Sequence, residues 1–146
     1  NLYVEKAVEF IRNNYSNEIL VSDIARYVCI NRSYLYTLFQ KYLHTSPQDY
    51  LSSCRITRAL ELLSYTDLSI ETVAFSCGYR NTEVFTKAFR QKQGMTPSAY
   101  RKKFRLDTTP DSAHVRDLSD FIITKSFFHE QEEMLWKTVK MLDGVS

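Results

Sequence analysis

Two groups of polar side chains recur in this 146-residue chain at the spacing of a single helix face. Arg32, Ser33, Tyr36, Thr37 and Gln40 form the first; Thr82, Glu83, Thr86, Lys87 and Arg90 form the second. Residues three and four apart share one side of an α-helix. Each face therefore gathers donors, acceptors and methyl groups, the chemistry that reads base edges in a DNA major groove. Any solvated helix shows water similar residues, so side-chain types alone leave both readings open. Other chemistries find little support. There is no Gly-rich phosphate loop, Ser-His-Asp set or paired acidic motif. His44, His114 and His129 have no recognisable catalytic partners. Cys29, Cys54 and Cys77 are odd in number and include no Cys-x-x-Cys pair, and Cys29 with His44 gives two metal ligands without a third. The expectation is a protein that is not an enzyme and uses no metal or cofactor.

The elements that would position these faces are helices. Three glycines and three prolines are few, against roughly 12% of residues in average usage. With 44% apolar residues the chain can fill a core. Val4, Ala7, Val8 and Ile11 mark a first helix, and Val21 to Val28 a second with Ile24, Ala25 and Val28 inward. Asn31 caps a third, whose core side is Leu35, Leu38, Phe39 and Tyr42. Ser46-Pro47 starts a long helix to about Ser64, burying Tyr50, Leu51, Ile56, Ala59, Leu60 and Leu63. Ser69 caps a fifth helix. Asn81 or Thr82 opens a sixth that ends at Gly94, and Thr96-Pro97 starts a seventh to about Arg105. The fold class is all-α.

The chain also repeats itself. A shift of 50 places Leu35 on Phe85, Phe39 on Phe89, Pro47 on Pro97 and Tyr50 on Tyr100; a shift of 49 places Ile24 on Val73 and Ala25 on Ala74. Each copy is a short helix, a tight turn and a second helix, which is a helix-turn-helix. Its second helix can lie in a major groove while the first braces it. Ala25 and Ala74 supply the small residue that a close helix crossing needs. The architecture expected is seven helices in a double helix-turn-helix with a long linker helix.

Residues 2–105 resemble the DNA-binding domain of the AraC/XylS family of bacterial transcription regulators. Two stretches carry the likeness: Ile24 to Phe39, and Ile70 to Tyr79 followed by Phe85, Phe89, Arg90, Gly94-Met95-Thr96-Pro97 and Tyr100-Arg101. The first stretch is most similar to sugar-responsive regulators of low-GC Gram-positive bacteria, such as those for raffinose and multiple-sugar use. The resemblance implies that both recognition helices enter successive major grooves of double-stranded promoter DNA. It places Ser33, Tyr36, Thr37, Thr82, Glu83, Thr86 and Lys87 at base-reading positions; Arg32 and Gln40 on the same face are expected to read bases as well, and Arg32, Gln40, Lys87 and Arg90 suit guanine and phosphate alike. Asn31, Ser46, Asn81, Arg90, Thr96, Ser98 and Lys102 are expected at phosphates. It further implies an activator that contacts RNA polymerase in the cytoplasm, at the nucleoid, with an effector-binding domain upstream. The alternative is a helical protein–protein interaction module that keeps the fold without specific DNA binding.

The first unit departs from the family pattern. It has Cys29 and His44 where the second has Gly78 and Gly94. Either the first unit turns differently or it carries the strain of a side chain at positive φ, roughly 1 kcal/mol each.

The net charge of +2 divides unevenly. Residues 1–105 hold 15 Lys and Arg against 9 Asp and Glu, a balance of +6; residues 106–146 hold 4 against 8, a balance of −4. The domains expected are a basic DNA-reading unit over 1–105 and an acidic extension over 106–146. In that extension Phe128, Leu135, Trp136, Val139 and Leu142 share an amphipathic stripe, so the tail reads as partly helical. It would fold onto its own domain or dock a sensor domain, a second copy or polymerase. No apolar run reaches the ~20 residues of a membrane span. The first residues lack the plan of a signal peptide and an initiating Met, as expected of a piece of a longer protein.

Overall fold

The computed structural model describes residues 1–105. These form seven α-helices: α1 (Leu2–Asn14), α2 (Val21–Val28), α3 (Arg32–Leu43), α4 (Pro47–Tyr65), α5 (Ile70–Ser76), α6 (Thr82–Gln93) and α7 (Pro97–Phe104). The readings of 106–146, its partial helicity and its docking role, lie outside the described residues. No helix among the described residues is long and apolar enough to cross a membrane.

Side chains just ahead of most helices set where they begin, because the first turn of a helix has backbone N–H groups without partners. Tyr34 N–H donates to Asn31 Oδ1 at 2.7 Å, Asp49 N–H to Ser46 Oγ at 3.0 Å and Thr72 N–H to Ser69 Oγ at 3.1 Å. Val84 N–H donates to Asn81 Oδ1 at 2.9 Å and Ala99 N–H to Thr96 Oγ1 at 3.1 Å. Thus Asn81 caps and Thr82 is the first residue of α6. Ahead of α2 stands Leu20, whose side chain cannot cap; there Asp23 reaches back and accepts the Leu20 N–H at 2.7 Å.

The apolar stripes build two cores rather than one. Val4, Ala7, Val8 and Ile11 of α1 meet Ile24, Ala25 and Val28 of α2, Leu35, Leu38 and Phe39 of α3, and Tyr50 and Leu51 at the start of α4. Ile56, Ala59 and Leu63 from the rest of α4 meet Val73, Ala74, Cys77, Tyr79, Phe85 and Phe89. The 19 residues of α4 are about 28 Å long at 1.5 Å per residue. One half of α4 serves each unit. Leu60, expected in the core, is only partly buried and packs at its edge. Arg55, where α4 passes from one core to the other, is buried at 8% exposure, which helical periodicity did not indicate.

Candidate nucleic-acid interface

The two units turn from their bracing helix in the same way. In the first, Ile30 N–H donates to the Ala25 carbonyl at 3.1 Å and Cys29 N–H to the Arg26 carbonyl at 3.2 Å. In the second, Tyr79 N–H donates to the Ala74 carbonyl at 3.0 Å and Gly78 N–H to the Phe75 carbonyl at 3.1 Å. Both are Schellman motifs, which need one residue in the left-handed region. That residue is Cys29 (φ 66°) in one unit and Gly78 (φ 96°) in the other. The recognition helices end alike too. His44 (φ 56°) donates to the Gln40 carbonyl at 3.2 Å, and Gly94 (φ 74°) to the Arg90 carbonyl at 2.8 Å. The first unit does not turn differently; it holds two side chains at positive φ.

These turns aim α3 and α6 outward, and each lines an open depression. Arg32, Ser33, Tyr36 and Thr37 line the first together with Ser46 and Gln48 from the start of α4. Thr82, Glu83, Thr86, Lys87 and Arg90 line the second. The base-reading positions expected from the sequence are thus brought together unit by unit, with one exception: Gln40 is exposed on α3 beyond the depression. Gln91 and Gln48 join the two walls and were not anticipated. The Thr37 hydroxyl donates to the Ser33 carbonyl at 3.0 Å. Its proton is thereby engaged, which leaves the methyl and the acceptor side of the hydroxyl for a ligand. Arg32, Lys87, Arg90 and Lys102 make no ion pair among the described residues.

Asn31, Ser46, Asn81 and Thr96 each accept a backbone N–H at a helix start. Capping does not exhaust them. A hydroxyl that accepts can still donate its own proton, and a carboxamide keeps its NH2. Ser98 and Lys102 are exposed on α7. The basic run ending α7 divides, however. Arg101 Nε donates to the Leu63 carbonyl at 3.3 Å and its Nη1 to the Leu68 carbonyl, and Arg105 pairs with Asp67. Both arginines brace the end of α4 instead of facing outward with Lys102 and Lys103. Burial, with Arg105 close by, lowers the Arg101 pKa.

Where the two units meet, Arg55 Nε donates to the Tyr15 carbonyl at 2.8 Å and Nη2 to the Asn17 carbonyl at 2.9 Å. Its guanidinium carbon lies 5.5 Å from the centre of the Tyr79 ring. A Cβ on Gly78 would stand 2.3 Å from the Tyr15 oxygen and 2.9 Å from Arg55 Nε. Burial lowers the Arg55 pKa, raises that of Tyr79 and pushes the Cys77 thiol up to about 12. Among the described residues, no group of three or more His, Cys, Asp and Glu could hold a metal ion.

A family model described as a helix-turn-helix domain matches residues 24–103, more than half of the chain. The chain belongs to the AraC family. It is 40% identical over 96 residues to the raffinose operon transcriptional regulatory protein of Pediococcus pentosaceus, covering 66% of this chain and 35% of that protein. The chain spans about a third of the length of the curated relatives it matches. The C-terminal domain of AraT, a response regulator from Geobacillus stearothermophilus, has the same fold (TM-score 0.74, 26% identity, 78% of this chain and 95% of that one). So does the DNA-binding domain of AdpA, a global transcriptional factor solved with a target DNA (TM-score 0.66, 25% identity, 69% of this chain and 91% of that one). The seven helices of residues 1–105 in this AraC-family chain thus share their fold with both solved domains.

Proposed function

We propose that residues 1–105 are the DNA-binding region of a bacterial transcription activator of carbohydrate-use genes, placing α3 and α6 in successive major grooves of promoter DNA. One observation carries this reading: two matching, outward-facing depressions, each walled by the polar face of a second helix and joined by α4. α4, about 28 Å long, holds the two recognition helices apart on the scale of one DNA turn, ~34 Å. The AdpA domain bound to its target DNA supports the duplex as ligand. The raffinose regulator supports the carbohydrate assignment.

Arg32, Ser33, Tyr36 and Thr37 read one half-element, and Thr82, Glu83, Thr86 and Lys87 the other. Glu83 accepts from a cytosine N4, and the methyls of Thr37 and Thr86 meet thymine methyls. Gln40, outside the depression, serves the flank. Phosphates are held by Asn31, Ser46, Asn81, Arg90, Thr96, Ser98 and Lys102, aided by backbone N–H groups at the starts of the longer helices. RNA polymerase, an effector-binding domain upstream, an acidic extension over 106–146 that is separate from the binding unit, and a place at the nucleoid in the cytoplasm complete the reading. Selecting bound fragments from random duplex DNA tests it. One asymmetric two-part motif is expected, with log–log salt dependence of slope about −5 or steeper. Binding without sequence preference, or none, refutes the reading.

A further inference from the structure

We propose that Arg55 is the positioning residue that fixes the second recognition helix relative to the first, and thereby the spacer length between the two half-elements of the DNA site. The proposal rests on the two-groove reading above. A linker helix fixes a distance along its own axis, but it does not stop a unit packed on one of its stripes from rocking around it. Here the second unit is tied to the first across α4 by contacts that neither core contains. Arg55 donates to two main-chain oxygens of the first unit's α1–α2 loop, Tyr15 at 2.8 Å and Asn17 at 2.9 Å. The ring of Tyr79, from the second unit's turn, lies against the same guanidinium. Gly78 brings that turn so close to Tyr15 that no side chain fits between them. At the rim, Arg80 Nη2 lies 3.1 Å from Glu18 Oε2, again one partner from each unit. Rocking the second unit around α4 parts Tyr79 from the guanidinium, Gly78 from Tyr15 and Arg80 from Glu18, while the two hydrogen bonds hold that guanidinium fixed to the first unit.

The DNA makes this consequential. Adding one base pair between half-elements moves the second by about 3.4 Å and turns it by roughly 34° around the duplex axis, given 10–10.5 base pairs per turn. A locked protein meets that change by losing contacts or twisting the DNA; a loosened one follows it.

Two measurements test the lock. The first needs no DNA. Spin labels at Gln40→Cys and Gln91→Cys, in a Cys29→Ser, Cys54→Ala background, report the distance between α3 and α6 in the full chain. A narrow distribution is expected, broadened by Arg55→Lys at unchanged helicity. A distribution equally narrow in the variant overturns the lock, as does a broad one in the unmutated protein. If Arg55→Lys does not fold, Arg80→Glu at the exposed rim pair decides: broadening supports the lock and unchanged width overturns it. The second measurement uses unlabelled protein and duplexes carrying the selected half-elements at the preferred spacing and at one base pair more or less. The unmutated chain is expected to prefer one spacing by about tenfold, a preference that Arg55→Lys reduces to about threefold or less. Affinity for a duplex with a single half-element should not change. A preference kept in full by the variant overturns Arg55 as the spacing determinant. If the unmutated chain binds no duplex, the DNA-binding reading fails and the spacing claim fails with it, while the distance distributions still decide the lock.

Discussion

The two helix-turn-helix units close their turns with the same hydrogen bonds, yet one has Cys29 where the other has Gly78. Positive φ is the obvious reason for a glycine, but Cys29 adopts φ 66° with a side chain and stays folded. What separates the positions is what lies beyond the Cα. Cys29 is exposed. Gly78 faces the Tyr15 oxygen and Arg55 at distances no Cβ tolerates. The comparison of Gly94 with His44 completes the lesson. A Cβ on Gly94 meets nothing within 4 Å, so there only backbone conformation is at stake. Of the two glycines at turns, one is required by the other unit and one by itself.

The sharpest way to break this comparison is Gly78→Ala. It adds a clash with main-chain oxygen to the left-handed penalty, so a loss of about 3 kcal/mol or more is expected. Thermal melting should fall by more than ten degrees, at roughly 4–8 °C per kcal/mol for a domain of this size. Gly94→Ala should cost only about 1 kcal/mol; equal losses would show that conformation, not contact, selects both glycines.

The thiols beside the two turns differ in turn. Burial holds the Cys77 pKa near 12, above its ordinary 9.0. The folded chain therefore keeps a proton that the unfolded chain releases above pH 9. Stability present below pH 9 is lost as pH rises toward 12, by about 2 kcal/mol at pH 10.5 through this one group. Chemical denaturation across that range should show a slope that Cys77→Ala flattens. Exposed Cys29 should take up an alkylating reagent at pH 8 while Cys77 does not.

Smaller effects refine the contrast. Cys29→Gly and His44→Gly should each raise the melting temperature, by about 1 kcal/mol of relieved strain; unchanged or lowered melting for both removes strain from the account. On the recognition face, Thr37 already donates its hydroxyl to the Ser33 carbonyl and offers a methyl. Thr37→Val should leave DNA affinity intact, while Thr37→Ser should cost about 0.8 kcal/mol, roughly fourfold by titration. A loss with Val and none with Ser would mean that the hydroxyl, not the methyl, reads the base.

Much of the fold was legible because its determinants are local. Asn31, Ser46, Ser69, Asn81 and Thr96 lie within three residues of their hydrogen-bond partners and all five cap; at the sixth helix the sequence left Asn81 and Thr82 open, and Asn81 is the cap. The stripe Val4, Ala7, Val8 and Ile11 is buried because periodicity reports burial directly. The outward faces of α3 and α6 were legible for the same reason; spacing alone did not tell that Gln40 lies beyond the depression or that Gln48, from another helix, lines it. Arg55 was not legible. A charged residue on a helix reads as solvent-facing, and its acceptors are main-chain oxygens 38 and 40 residues away, which leave no trace in side-chain pattern. Arg101 and Arg105 were not legible as inward-facing either, because their acceptors at Leu63, Leu68 and Asp67 lie more than 30 residues away.

Contacts made to main-chain oxygen have an evolutionary consequence. The oxygens at 15 and 17 belong to any residue that keeps the loop's path, and the Asn17 side chain itself is exposed. Drift at 15 and 17 therefore leaves the Arg55 hydrogen bonds untouched; in this loop only the rim pair asks for a particular side chain, Glu18. A lineage could exchange one recognition unit for another, and so acquire a new half-element, while retaining only a loop of this shape, an arginine at 55 and a glycine at 78. The joint behaves as a standard coupling between interchangeable parts.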